Sequence, residues 1–129
     1  MNREIKFRGK MKSKQWIYGY LYKDNDRTYI LTEKDVYYVI PETVGQFTGL
    51  FDKNGKEIYE GDIILSNHGK TKFVIIGGVR GYCYDACPTD EYPNMVSGGR
   101  GASAYHIITD HGECEIISNI FDNPELINK

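Results

Sequence analysis

The stretch IPETVGQFTGLFDKNGKEIYEGDII, residues 40–64, decides the fold class. Its DKNG segment at 52–55 has the composition of a tight turn, because an Asn-Gly pair adopts positive φ at low cost. Its EGD segment at 60–62 predicts a second sharp turn, in which Asp62 accepts backbone N–H bonds. Pro41 cannot donate to a β ladder and is expected to close the preceding strand. Two turns within about a dozen residues, each flanked by apolar residues, predict a compact β corner and not a helix.

Outward from this stretch, alternation of apolar and polar residues predicts further strands. Residues 4–8 give a half-buried strand with Ile5 and Phe7 inward and Lys6 and Arg8 toward solvent. Residues 15–23 give a strand with Trp16, Tyr18, Tyr20 and Tyr22 on one face, and because both faces are largely apolar we expect it to be central or covered by a second layer. The remaining predicted strands are 28–32, 36–40, 62–66, 70–76, 79–85, 105–109 and 114–120.

The predicted architecture is therefore mainly β. We expect short antiparallel strands in one or two small barrel-like sheets, with α+β as the fallback fold class. Residues 88–102 are rich in proline and glycine and predict a long loop. Asn123-Pro124-Glu125 predicts a cap and a short C-terminal helix. The length of 129 residues fits a single domain, 1–129, and we also consider two subdomains, 1–40 and 41–129.

Several segments together resemble the YopX family of phage and prophage proteins. TVGQFTGL at 43–50 and DKNGKEIYEGDI at 52–63 are similar to the signature of that family. REIKFRG at 3–9 and WIYG at 16–19 are similar to the family's opening, and ISNIFDNPEL at 117–126 is similar to its close. The resemblance implies provenance and shape, and it brings no catalytic residues with it.

Composition limits the plausible environments. Hydrophobic residues make up 40% and charged residues 26%, which is typical of a globular chain and not of a disordered one. No apolar run approaches the roughly 20 residues of a membrane span, so we expect no membrane partner. The first residues lack an apolar signal-peptide core, and we expect the cytoplasm of a bacterial host. Three cysteines do not make a disulfide framework.

The basic N-terminus predicts an alternative function in nucleic-acid binding. Residues 1–14 carry a net charge of +5, so the remainder carries −7. Cations beside aromatic rings are typical of proteins that bind single strands. The other interpretation is a solvated strand face over a β core. The candidate residues are Arg3, Lys6, Arg8, Lys10, Lys12, Lys14 and Trp16.

A second alternative is a zinc-dependent enzyme. A Cys-x3-Cys pair, a His-x4-His pair and one further Cys have spacings within the looser limits of structural zinc sites. These candidates are Cys83, Cys87, His106, His111 and Cys114. The other interpretation is buried thiols and surface histidines on turns. Glu60 and Asp62 with His68 would form an acid–base group, but the turn role of Asp62 is the preferred interpretation.

The function that we expect is a non-catalytic binding or assembly module of a phage or prophage, without a cofactor. Eleven tyrosines suit half-buried strands and interfaces, where the ring packs and the hydroxyl stays wet. Tyrosine-rich strands and exposed strand edges favour a homo-oligomer. A phage or host protein and a nucleic acid are the other partners considered.

Overall fold

The computed structural model describes residues 5–66, 71–77, 84–90, 92, 102–111 and 114–127. Short antiparallel strands dominate these residues, so the mainly β prediction is confirmed. The chain divides into two compact units, an N-terminal unit, Met1–Gly49, and a C-terminal unit, Leu50–Lys129. Among the described residues, no helix has both the length and the apolar character needed to cross a bilayer.

The first sheet has the strand order β4-β3-β2-β1-β5-β6. Its strands are β1 (Phe7–Lys10), β2 (Trp16–Asp24), β3 (Arg27–Leu31), β4 (Val36–Tyr38), β5 (Ile40–Phe51) and β6 (Glu57–Tyr59). Strands β1 to β4 form the expected meander, in which each strand pairs antiparallel with the next. The division between the two units falls inside β5 and not between residues 40 and 41.

The second sheet has the strand order β10-β9-β8-β7-β11. Its strands are β7 (Asp62–Ser66), β8 (Thr71–Gly77), β9 (Tyr84–Pro88), β10 (Ala102–Ser103) and β11 (Glu115–Asn119). Antiparallel pairing of β7 with β8 confirms the two predicted strands there. Three predicted features lie outside the described residues: the turn at 67–69, the first part of the strand at 79–85 and most of the loop at 88–102. In the described strands neither sheet closes on itself.

The core of the N-terminal unit lies on one face of the first sheet. Ile17, Ile30 and Val39 are buried there at 7%, 0% and 1% exposure. Partly buried apolar residues surround them, namely Phe7, Met11, Leu21, Tyr37 and Val44. Because side chains alternate along a strand, the neighbours of these core residues occupy the opposite face of the sheet.

An irregularity in β5 accommodates Pro41. Arg8 pairs with Gly45 but Lys10 pairs with Ile40, so β5 carries extra residues opposite β1. The Thr43 hydroxyl bridges the gap, since it accepts the Lys10 N–H at 2.9 Å and donates to the Ile40 carbonyl at 2.6 Å. The preceding strand ends at Tyr38, before the proline. That end agrees with the expectation, but Pro41 itself lies inside β5, where a bulged ladder leaves room for a residue without an N–H.

Helix α1 (Ala104–His111) belongs to the core of the C-terminal unit. Ala104, Ile107 and Ile108 are buried at 0%, 7% and 8% exposure and have the i, i+3, i+4 spacing of a helix face. The strand predicted at 105–109 is therefore wrong. The buried cluster comprises these three residues together with Ile58, Ile64, Phe73, Ile75, Ala86 and Cys114.

The two turns predicted within residues 40–64 are present. Gly55 and Gly61 adopt φ angles of +83° and +96°, which are cheap only for glycine. In the second turn Asp62 Oδ2 accepts the Tyr59 N–H at 2.7 Å, which confirms its structural role.

The carboxylate of Asp52 organises the first turn and ties it to β11. It accepts the backbone N–H groups of Asn54 at 2.8 Å, Lys56 at 2.9 Å and Ile116 at 3.1 Å. Burial by itself raises the pKa of Asp52, but these three donors outweigh it and hold that pKa below its ordinary value.

The C-terminal helix is a single 3-10 turn, Pro124–Leu126. Proline lies at its start as predicted, but Asn123 makes no side-chain capping hydrogen bond. The Asn123 side chain instead accepts a hydrogen bond from the Ser118 hydroxyl and donates to Glu125 at 2.8 Å.

Candidate binding surface

One face of the first sheet is lined by aromatic rings and cations. The face opposite the buried core carries every second residue of β2, beginning at Trp16. Strand register extends the row onto β1, where Lys10 pairs with Trp16 and Arg8 with Tyr18. We call this surface the aromatic–basic face. Its members are Lys6, Arg8, Lys10, Trp16, Tyr18, Tyr20, Tyr22, Tyr29 and Tyr38.

Four tyrosines of this face are open to solvent. Tyr20 is 66% exposed, and Tyr18, Tyr22 and Tyr38 are 47%, 48% and 49% exposed. Strand β2 is central in its sheet, as predicted. Its tyrosines nevertheless face water, so the centre of the sheet presents apolar rings on the surface of the N-terminal unit.

The rings continue across three strands. Tyr22 pairs with Tyr29 on β3, and Tyr29 pairs with Tyr38 on β4. The centroids of Tyr22 and Tyr29 lie 6.0 Å apart, and those of Tyr29 and Tyr38 lie 5.8 Å apart. These distances are typical of interacting aromatic pairs. The three rings form one contiguous aromatic surface.

Trp16 holds two cations at the β1 side of the face. The Arg8 guanidinium carbon lies 4.6 Å from the Trp16 ring centroid, and Lys10 Nζ lies 5.7 Å from it. Both distances are within the range of cation–π attraction. Arg8 is only 5% exposed and Ile5 is 60% exposed, so the predicted inward and outward faces of the strand at 4–8 are wrong at both residues. Its flat guanidinium packs on the indole and takes the place of an apolar residue.

The other N-terminal candidates occupy different environments. Lys6 is half-buried, with Nζ 5.7 Å from the ring centroid of the buried Phe47. Lys12 and Lys14 are exposed in the connection between β1 and β2. Arg3 lies outside the described residues. The structure therefore brings Lys6, Arg8, Lys10 and Trp16 together on one face.

Sequence reasoning missed Arg27, which extends the face at its far end. Arg27 lies two residues before Tyr29 on β3 and is exposed. A side-chain hydrogen bond with Tyr29 raises the pKa of the guanidinium above its already high ordinary value. Strand alternation places Arg27 on the same face as Tyr29, so the sequence did contain a signal for it. Using that signal requires knowing that Tyr29 shares a face with the tyrosines of β2.

An open cavity of about 420 Å³ lies where this face meets the β3–β4 turn. Its volume falls in the usual range of small-ligand sites, about 300–1,000 Å³. The β3–β4 turn at its rim is preformed, because the Thr32 hydroxyl accepts the N–H groups of Lys34 and Asp35. The lining side chains include Lys6, Tyr18, Tyr20, Glu33 and Lys34.

The structure places two of the five zinc candidates with their side chains. Cys87 is buried in β9, and Cys114 is buried just before β11 with Sγ 3.7 Å from the Ile107 carbonyl oxygen. Burial raises the pKa of the Cys114 thiol, which disfavours the thiolate that zinc binds.

The other three zinc candidates are not described at their side chains. His106 and His111 lie on α1, and Cys83 lies outside the described residues altogether. Within the described part of the chain, no three His, Cys, Asp or Glu residues are grouped to hold a metal ion. The zinc hypothesis therefore stays a prediction.

The two units carry opposite net charge. Lys and Arg outnumber Asp and Glu by nine to six in residues 1–49, and they are outnumbered by seven to twelve in residues 50–129. The net charges are therefore +3 and −5. The aromatic–basic face lies in the positively charged unit, which favours a negatively charged ligand.

Comparison with known proteins agrees with the motifs in the sequence. A family model described as YopX protein matches residues 2–128, nearly the whole chain. The crystal structure of protein EF1440 from Enterococcus faecalis is similar, with a TM-score of 0.55 and 22% sequence identity. The match covers 98% of this chain and 99% of that chain, and at this identity it shows the fold alone. The comparison with curated proteins gave no match.

Proposed function

Because this chain belongs to the YopX family, we propose that it is a phage or prophage accessory protein that works by binding and not by catalysis. The aromatic–basic face is its binding surface, and the host cytoplasm is its place of action. The observation that carries the proposal is the row of three tyrosines on β2, each 47–66% exposed, beside the cations of β1. Rings and cations hold a ligand by stacking and by charge.

The exposed tyrosine rings raise the risk of aggregation, and a binding function explains why they are nevertheless exposed. An apolar surface at the centre of a sheet favours aggregation unless a ligand or partner covers it. A buried core already occupies the other face, so these tyrosines are not needed to close that core. Tyrosine is also among the residues enriched at binding hot spots.

Affinity purification from bacteria carrying the induced phage tests this proposal. The tagged chain is compared with a Tyr20→Ala/Tyr22→Ala variant, and retained protein and nucleic acid are both quantified. Tyr105→Ala is the matched control, since Tyr105 is 64% exposed but lies in the C-terminal unit. We expect the wild type and the control to retain the same macromolecules and the double variant to lose most of them. Equal retention by all three would overturn the proposal.

Self-association through β4 is the second candidate function. Strand β4 is the edge of the first sheet, and its Val36 and Tyr38 are each 49% exposed. An edge strand offers unpaired backbone groups to a second copy. Light scattering across a concentration series is expected to show a homo-oligomer that Val36→Lys dissociates. A strict monomer at all concentrations would contradict self-association and leave the binding surface as the remaining function.

A further inference from the structure

We propose that the aromatic–basic face binds single-stranded nucleic acid, with bases stacked on Tyr18, Tyr20 and Tyr22 and phosphates beside Lys6 and Lys10. This inference rests on the proposed function and names the ligand of the same surface. It differs from a simple basic patch, because the structure assigns different tasks to the rings and to the cations.

The spacing of the tyrosines fits an extended strand. Tyr18, Tyr20 and Tyr22 are alternate residues of β2, so their Cα atoms are about 7 Å apart. Bases in a duplex stack at about 3.4 Å and offer no free face to a ring. An extended single strand separates its bases and exposes both faces of each. The row of rings is therefore matched to single strands and not to duplexes.

The cations run along one side of that row. Strand β1 is the neighbour of β2, so its side chains lie about 5 Å from those of β2. Lys6, just before β1, lies over Phe47, and Lys10 lies over Trp16, so these two half-buried lysines are the phosphate contacts. Arg8 packs on the same Trp16 ring but is only 5% exposed, so it supports the ring and does not contact phosphate. These contacts orient the positive charges before a ligand arrives, which lowers the entropy cost of binding.

Trp16 consequently has a different task from the tyrosines. Its ring already interacts with Arg8 and Lys10, so it positions cations, whereas Tyr20 is 66% exposed. The phosphate backbone would follow β1 while the bases point across β2. The cavity lined by Lys6, Tyr18 and Tyr20 gives one base a recess between the lysine and the two rings.

Charge distinguishes this ligand from a neutral protein partner. The N-terminal unit carries +3 although the whole chain carries −2. Lys12 and Lys14 add exposed positive charge at the Trp16 end of the ring row, whereas at the other end Arg27 lies opposite Asp24. The acidic C-terminal unit of a second copy of the chain is the alternative ligand for this face. Binding of a second copy is a separate outcome of the experiments below.

Fluorescence anisotropy with a labelled oligothymidylate of about 20 nucleotides tests the inference. The purified full-length chain is titrated with this probe and with a duplex of the same length. We expect single-strand binding that weakens by at least tenfold between about 50 and 200 mM salt, and weaker binding of the duplex. The absence of single-strand binding at protein concentrations up to roughly 0.1 mM would overturn the inference.

Ring variants separate stacking from a general loss of charge. Tyr20→Ala is expected to weaken binding about tenfold, whereas Tyr20→Phe keeps the ring and is expected to bind as the wild type does. Tyr105→Ala is the control in the other unit, with nearly equal exposure. Circular dichroism confirms that each variant is folded. Equal affinity of Tyr20→Ala and the wild type would overturn the stacking arrangement.

Charge variants test the phosphate path. Lys10→Gln is expected to lower the slope of log affinity against log salt by about 0.7, because one phosphate contact is lost. Lys56→Gln, an exposed lysine of the C-terminal unit, is expected to leave the slope unchanged. An unchanged slope in Lys10→Gln would overturn the assigned path.

One outcome separates this inference from the proposed function. If no oligonucleotide binds but light scattering shows an oligomer that Tyr20→Ala dissociates, the face binds a second copy and the nucleic-acid inference is wrong. The proposed function would then stand, since the same face still binds a macromolecule.

Discussion

In the N-terminal unit a sheet buries Ile17, Ile30 and Val39 on one face and exposes tyrosines on the other. In the C-terminal unit, by contrast, the buried cluster brings α1 together with residues of β6 to β9. A sheet with one buried face gains less hydrophobic stabilisation per residue than one whose core is supplemented by a helix. The N-terminal unit therefore leaves one sheet face open, which is the surface that the proposed function assigns to binding, while the C-terminal unit buries its apolar side chains in a core shared by strands and a helix.

The two units also differ in the use of charge. The buried carboxylates Asp52 and Asp62 in the C-terminal unit accept backbone N–H groups and so hold turns. In the N-terminal unit Arg8 and Lys10 lie on the Trp16 ring, at the edge of an open surface. Exchange of a carboxylate that holds a turn is expected to lower stability, whereas cations beside a surface can be tested singly for binding.

The largest expected difference is in stability, between a buried core residue of the C-terminal unit and an exposed tyrosine of the N-terminal unit. Ile64→Ala removes a side chain with 0% exposure from the C-terminal core and is expected to lower the free energy of unfolding by about 4 kcal/mol. Tyr20→Ala, on the open face, is expected to change it by less than about 0.5 kcal/mol. Urea unfolding followed by circular dichroism measures both. A large loss in Tyr20→Ala would contradict the view that this tyrosine serves binding.

Gly19 gives the next largest effect, because it brings two strands close on the core face of the N-terminal unit. A Cβ atom at this position would lie 2.2 Å from the Leu31 carbonyl oxygen, a backbone atom. Gly19→Ala is therefore expected to lower the free energy of unfolding by about 3 kcal/mol. Gly55→Ala is the control, because nothing lies within 4 Å of its Cβ and only its φ of +83° opposes the change. We expect about 1 kcal/mol there, measured in the same way. Equal losses in both variants would show that the close approach at Gly19 relaxes easily.

Much of the strand pattern could be predicted, because it depends on local alternation. Strand β2 and strand β7 lie where periodicity and turn residues placed them. The helix at Ala104–His111 could not be distinguished in this way, since a short Ile-Ile pair fits either period. Whether this segment is a helix or a strand depends on its packing against strands that are distant in sequence, and no local pattern contains that information.

The binding surface was predictable only in part. Alternation placed Trp16, Tyr18, Tyr20 and Tyr22 on one face, and the structure agrees. Both faces of β2 are apolar, so the sequence did not indicate which of them is buried. The joining of Tyr22 to Tyr29 and Tyr38 depends on strand register, which is a non-local property. Arg8 followed the expected alternation but was buried by the neighbouring indole.

The smallest of the three stability effects is expected at Asp52, the residue that ties the first turn to β11. Asp52→Ala removes the acceptor of three backbone N–H groups and is expected to lower the free energy of unfolding by about 2 kcal/mol. Asp52→Asn keeps one acceptor oxygen and is expected to lose about half as much. Urea unfolding at neutral pH measures the series. Alanine and asparagine variants of equal stability would contradict a role for the acceptor oxygen.

The pH dependence of the same variants isolates the charge of Asp52. Its pKa is lowered in the folded state, so the charged carboxylate stabilises the fold at pH values above its unfolded pKa, about 3.9. That contribution is lost as the pH falls through the lower, folded-state pKa. The difference in free energy of unfolding between the wild type and Asp52→Asn is therefore expected to be constant above pH ~5 and to shrink below pH ~4. A difference that stays constant through this acidic range would show that hydrogen-bond geometry, and not charge, carries the contribution of Asp52. The turn would then be held as the β3–β4 turn is by the uncharged Thr32 hydroxyl, and the contrast in charge use between the two units would be lost.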